Sequence, residues 1–209
     1  VYFSNILRPK ITENEERFPY NASGGYVSAP GVDIVDKFAL SSTADASDIG
    51  NLTQARIHTG NSSDPSGGYG YAAGGGTGNG TSYNNIDRNS FSSDGDSTDV
   101  GDMTANSYRG GGSSSTSHGY TTGGHNGSAY INAIEKYAFG STANSTDVGD
   151  ISGNHAWISG TTQTSYGYWA CGGPPNLNTI EKYSFSADGN SSDVGDLTLA
   201  RTSASGFHY

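Results

Sequence analysis

One phrase occurs four times in the chain, and it limits the folds open to it. Aligned on their acidic words, the copies read DIGN from Asp48, DVGD from Asp99, DVGD from Asp147 and DVGD from Asp193, at spacings of 51, 48 and 46 residues. Upstream of each lies an apolar-acidic-basic word: VDKF from Val35, IDRN from Ile86, IEKY from Ile134 and IEKY from Ile180. An apolar residue follows two positions later, at Leu40, Phe91, Phe139 and Phe185. A third word precedes these: GYAAGG from Gly70, GYTTGG from Gly119 and GYWACGG from Gly167, with GGYVSAPG from Gly24 as a worn first copy. Periods of this length mark arrays of one supersecondary unit that buries its faces only against its neighbours.

Each word carries strand chemistry. In IEKYSF, Ile180, Lys182 and Ser184 face one way, while Glu181, Tyr183 and Phe185 face the other. Two faces that each mix apolar and charged groups suit a strand packed between neighbouring sheets. SADGNSSD and GSTANSTD are rich in residues that close turns on their own backbone. No stretch has helical spacing. Four short strands in each unit of this size predict an all-β fold of radially arranged blades.

Composition tests that expectation. Leu, Ile, Val and Phe make up 31 of 209 residues, which with a net charge of -10 would by itself suggest disorder. The 14 Tyr and 2 Trp restore large apolar area, and the apolar positions recur in register. The acidic balance repels phosphate backbones and anionic headgroups, which argues against nucleic acid and membrane surfaces as partners. No apolar run is long enough to cross a membrane. The single cysteine, Cys171, rules out an intrachain disulfide.

The combined pattern, R-…-G-Y-x-x-G-G-…-I-E-K-Y-…-L-T-x-x-R, resembles the kelch repeat. That resemblance implies a β-propeller in which the double glycine ends a second strand, an aromatic lies in the third, and a fourth strand precedes Arg. Arg56 and Arg201 fill the last position, and Ser107 and His155 fill it in the middle copies. The family's fourth-strand Trp is replaced by the apolar residue of the DVGD word. This variant is similar to the kelch-like repeats of tail and structural proteins of marine bacteriophages. The expected organisation is an arm over residues 1–17 and a propeller over 18–209. Its blades are expected near 18–56, 57–107, 108–155 and 156–201, followed by a closing strand over 202–209. The first copy is too short for both a first and a second strand. The closing strand therefore has three possible fates: it completes the first blade within one chain, pairs between molecules, or belongs to a larger propeller. Residues 1–17 are either a simple terminus or an arm that docks on a neighbour by strand addition.

Candidate chemistry is sparse. The recurring Asp45-x-x-Asp48-x-x-Asn51 and its three counterparts raise calcium, but they lack EF-hand spacing and a following bidentate Glu. Asx turns leading into the fourth strand are the expectation. Asp36-Lys37, Asp87-Arg88, Glu135-Lys136 and Glu181-Lys182 are adjacent on strands, so they point apart and are expected to pair with neighbouring blades. The five His show no zinc spacing. Cys171 reads as a buried thiol with no base beside it. No cofactor, metal site or catalytic set is expected.

Loops carry binding when repeats carry the scaffold. Between the double glycines and the acidic-basic words, Tyr83, Asn84, Asn85, Asn126, Tyr130 and Asn132 form an aromatic and amide set suited to sugars. Sequons at Asn21, Asn51, Asn61, Asn79, Asn126, Asn144 and Asn190 are candidates for glycosylation. The expected function is non-enzymatic: a structural or adhesive module of a virion tail or other extracellular appendage. It would bind other copies, other appendage proteins or surface glycans. A self-assembling fibre subunit joined by strand exchange is the alternative. A galactose-oxidase-like enzyme, which needs clustered Tyr, His and Cys, is the remote one.

Overall fold

The computed structural model describes residues 20–25, 31–38, 43–66 and 68–205. The arm over 1–17 and the last four residues of the expected closing strand lie outside the described residues.

Every described regular element is a β-strand, and each repeat unit forms one antiparallel meander. The first sheet is β1 (Tyr20–Gly25), β2 (Val32–Phe38) and β3 (Ser47–Arg56). The second is β4 (Gly60–Asp64), β5 (Tyr69–Ala73), β6 (Asn85–Ser90) and β7 (Thr98–Asp102). The third is β8 (Gly111–Ser114), β9 (His118–His125), β10 (Tyr130–Ala138) and β11 (Thr146–Asp150). The fourth is β12 (Ser159–Gln163), β13 (Tyr166–Ala170), β14 (Leu177–Ser184) and β15 (Ser192–Arg201). Sequence order is spatial order within each sheet, as expected for short strands joined by tight turns.

The register corrects one part of the sequence reading. Tyr71 pairs with Arg88, and Ala73 with Ile86. In the first sheet the corresponding partners are Asn21 with Lys37 and Ser23 with Val35. The worn first copy is therefore YNASGG from Tyr20, ending at Gly25. The GGYVSAPG string begins only where that word ends. The double glycine was the right landmark, but in this copy an Asn replaces the Tyr that should have fixed the frame.

The acidic-basic strand is sandwiched, as its alternation requires. Ile134 is buried with Ile151, Ile158 and Trp169, and Lys136 reaches Asp188 at 2.8 Å, both toward the following sheet. On the other face, Glu135 accepts hydrogen bonds from Thr104 of the preceding sheet. The Tyr137 hydroxyl meets Ser62 Oγ there at 2.8 Å, and burial pushes that phenol up to about 12. The aromatic stacks repeat at the next junction. Tyr71 lies on Phe139 at 4.9 Å, and Tyr120 lies on Phe185 at 4.9 Å. Such offset pairs each contribute about 0.5–1.5 kcal/mol beyond the area they bury.

The acidic word bulges. Register shifts occur between Val35 and Asp36, between Ile86 and Asp87, and between Ile180 and Glu181, each opposite a DVGD-type segment. The middle acid of the word closes an Asx turn in all four copies, accepting from the backbone N–H of Gly50, Gly101, Gly149 and Gly195 at 2.9–3.2 Å. The first acid or amide does something the sequence did not reveal: it reaches back to the preceding sheet. Asp96 accepts from Asn51 N–H at 2.9 Å, Asn144 from Asp102 N–H at 3.0 Å, and Asn190 from Asp150 N–H at 3.0 Å. The spacing that raised calcium is thus an inter-sheet splice. The first strands also approach backbone to backbone. A Cβ on Gly112 would lie 2.2 Å from Asn61 O, and one on Gly160 would lie 2.2 Å from Gly112 O, so only glycine fits at these crossings.

Candidate functional site

The last described strand of each sheet runs out through a non-glycine residue in left-handed backbone, and after the first three the chain enters the next sheet. These are His58 (φ 57°), Arg109 (φ 68°), Trp157 (φ 56°) and Ser203 (φ 58°). Bulky residues avoid that region, and such strain concentrates where a fold presents function. A short bridge holds each of the first three turns: Ile57 N–H to Gly76 O at 2.8 Å, Tyr108 N–H to His125 O at 3.0 Å, and Ala156 N–H to Gly173 O at 3.0 Å. The turns are also tied to one another, with Arg109 N–H on His58 O and Ser203 N–H on Trp157 O, both at 3.1 Å.

The side chains of these turns form a continuous row. The Arg109 guanidinium lies 4.2 Å from the Tyr108 ring and 4.4 Å from the Trp157 ring. Trp157 meets Tyr130 at 5.8 Å, and Tyr130 meets His125 edge-on at 5.0 Å. At the other end His58 meets Tyr108 edge-on at 5.3 Å. Tyr108 is buried, whereas Arg109, His125, Tyr130 and Trp157 are half-buried and His58 is exposed. The row therefore offers ring faces and edges, imidazoles and one cation along a partly open surface crossing three sheets. Stacked aromatics with a guanidinium between them suit ligands with both apolar faces and hydroxyls.

Only part of the sequence-derived loop set joins this row. Tyr130 belongs to it. Asn126 lies next to His125, its Oδ1 accepting from Ser128 and Ala129 N–H at 2.9 and 2.8 Å. Asn132 serves through its backbone carbonyl, which accepts from Ile151 N–H at 2.8 Å. Tyr83 and Asn84 are half-buried, and Asn84 donates to Met103 O at 3.3 Å. Asn85 is buried and donates to Asp87 and Thr53 at 3.0 and 3.1 Å, so it belongs to the interior. His58, Arg109 and Trp157 were missed. Their signal was positional, each lying two residues past the Arg56, Ser107 and His155 slot, but the residue types differ from copy to copy.

The sequons fall in varied settings. Asn51, Asn79, Asn144 and Asn190 are exposed, and Asn61 and Asn126 are half-buried. Asn21 lies on β1. Cys171 is fully buried, takes the left-handed conformation that Gly74 and Gly123 adopt in the preceding copies, and has Trp157 O 4.0 Å from its sulfur. Among the described residues, no three His, Cys, Asp or Glu side chains gather as a metal site would require. No described helix is long and apolar enough to cross a membrane. No known family matches the chain, and no curated protein matches it.

Proposed function

We propose that the four sheets are successive blades of a kelch-like β-propeller or propeller arc. In this reading the chain is a non-enzymatic structural and adhesive module that presents the Arg109–Trp157–Tyr130 row to surface glycans. The observation that carries the reading is that row: three neighbouring turns, each holding a bulky side chain in an unfavourable backbone region, together line up rings and a guanidinium at half-open positions. A scaffold alone would favour Gly or Asn there. Sugar rings stack on Trp and Tyr faces while Arg and Asn donate to hydroxyls. The place of such a module in a virion tail or another extracellular appendage rests on the repeat's resemblance.

The test is a glycan array probed with the whole chain and with Trp157→Asn, which keeps a residue that tolerates left-handed backbone. Specific retention lost in the variant, with its melting temperature preserved, is the expected result. Retention unchanged in the variant, or no retention of any glycan by the wild type, overturns the reading.

A further inference from the structure

We infer that the open face of the fourth sheet is a docking surface for the first sheet of a second copy of this chain, so that copies continue the repeat head to tail. The inference rests on reading the sheets as equivalent successive units, and it goes beyond the display of loops.

Three junctions inside the chain define what a junction needs. The residue just past the splice donates to the acid of the following sheet: Thr53 to Asp87, Thr104 to Glu135, and Ser152 N–H to Glu181 at 3.2 Å. All three acids are buried, at 1%, 2% and 0% exposure. The splice backbone receives the next sheet's first acid or amide, and its carbonyls accept from Ser97, Ser145 and Ser191 N–H at 2.8–2.9 Å. The fourth sheet carries the donor half of this set at Asp196, Leu197 and Thr198, with no described residue receiving it. The first sheet carries the acceptor half at Asp36 and Asp45, with no described sheet before it.

The two halves also match in kind. The slot at or after the end of each sheet's last strand and the acid of the following sheet vary together. Arg56 is followed by Asp87, Ser107 by Glu135, and His155 by Glu181. The shorter acid stands where a guanidinium fills the space, and Arg56 Nη2 lies 2.8 Å from Asp87 with both side chains fully buried. The fourth sheet ends in Arg201, which calls for Asp, and the one acid at this position without a preceding sheet is Asp36.

A second position varies the same way. Lys37 and Lys136 pair with Asp94 and Asp188 of the following sheet at 2.8 Å. Arg88, whose following copy has Thr142 there, turns back over its own Tyr69 at 4.7 Å. Lys182 likewise lies over Tyr166 at 4.7 Å, and the first copy has Thr43 at the matching place.

The fourth sheet also exposes apolar groups that an interface would cover. Tyr166, Val194 and Leu199 are three of the four large hydrophobic residues exposed among the described ones, Leu199 at 68%. The occupant is a second copy because its first sheet brings Asp36, the acid that Arg201 calls for, on the face turned away from Lys37, whose pairing with Asp94, together with Asn51–Asp96, seats that sheet on its own second sheet. Such a heterologous contact propagates into rings or open filaments, according to the rotation between copies.

The test is sedimentation velocity over a concentration series on the whole chain, with Arg201→Glu and Asp36→Lys alone and mixed in equal amounts. The wild type is expected to associate with increasing concentration. Each single variant should associate at least about 30-fold more weakly, the effect of losing a buried charge pair across an interface. The mixture should regain association, because one variant keeps an intact donor face and the other an intact acceptor face. Arg201 is exposed, so at dilutions where the wild type is monomeric its variant should melt at the wild-type temperature. A wild type that stays monomeric overturns the proposal. If Arg201→Glu lowers the melting temperature in that dilute, monomeric range, the two faces close within one chain and the proposal fails. Association unaffected by both variants overturns it too, while loss of strand signal in circular dichroism of the wild type would strike at the repeat reading itself.

Discussion

Arg56 and Arg201 occupy the same place in the repeat and live in different worlds. Arg56 is fully buried, paired with Asp87 and donating to the carbonyls of Ala72 and Asn85 at 3.2 and 3.4 Å. Arg201 is exposed and folds back on Leu199 O at 3.2 Å. The same contrast separates Tyr120, 1% exposed under Phe185, from the half-buried Tyr168, and Ile151 from Leu197. The presence or absence of a neighbouring sheet makes the difference, not the residue type. A repeat unit here is half of two junctions, and its recurring words become a core only when the next unit arrives.

That contrast can be broken by mutation, and the largest effect belongs to the buried pair. Asp87→Ala leaves the Arg56 guanidinium uncompensated in the interior. It should cost about 3–5 kcal/mol in urea unfolding. Asp36→Ala, the same word without a preceding sheet, should cost less than about 1 kcal/mol in dilute monomer. Equal losses would show that the junction is not what buries the acid.

Glycine at the bulge gives a finer comparison, because the backbone is nearly constant. Gly149 and Gly195 have φ of 155° and 148°. A Cβ on Gly149 would lie 2.3 Å from Gly189 O, whereas one on Gly195 meets nothing within 4 Å. Alanine at either site bears the same backbone strain, so the difference isolates the junction. Gly149→Ala should be the more damaging by roughly 1–3 kcal/mol in thermal unfolding.

The splice amide is worth less. Asn144→Ala removes the acceptor for Asp102 N–H and should cost about 0.5–1.5 kcal/mol. Asp45→Ala, with no sheet before it, should fall within about 0.5 kcal/mol of wild type.

The smallest effect is that of pH at the slot Arg56 fills elsewhere. Burial lowers the His155 imidazole below its ordinary value, only partly offset by Glu181. The folded state then binds fewer protons than the unfolded one. Its stability contribution is complete above about pH 6.5 and declines as pH falls below it. Melting temperatures followed from pH 7.5 to 5.5 should drop less in His155→Gln than in wild type.

How much of this was legible depended on whether a position repeats by residue type or by place. The IEKY alternation announced a strand buried on both faces because Ile, Lys, Glu and Tyr recur as types. The DxxD spacing was visible but not its direction: the acids reach to the preceding sheet, and a distance of 42 residues between Asp102 and Asn144 leaves no local trace. In the first copy, Asn21 stands where Tyr71 and Tyr120 should be, which shifted the apparent frame to GGYVSAPG. The Arg109 row was hidden because His58, Arg109 and Trp157 share a backbone conformation rather than a chemistry. Asn85 looked like a loop amide from composition, yet it lies at the start of β6 and turns inward to Asp87.

Consecutive units are joined through an acid of one and the end of the strand before it, as Arg56 and Asp87 are. A double-mutant cycle on Arg56→Met and Asp87→Leu, read by urea unfolding, tests it most directly. Contact across the junction predicts a coupling of at least about 1 kcal/mol between the two substitutions. Additive effects within about 0.3–0.5 kcal/mol, as for distant sites, would contradict it.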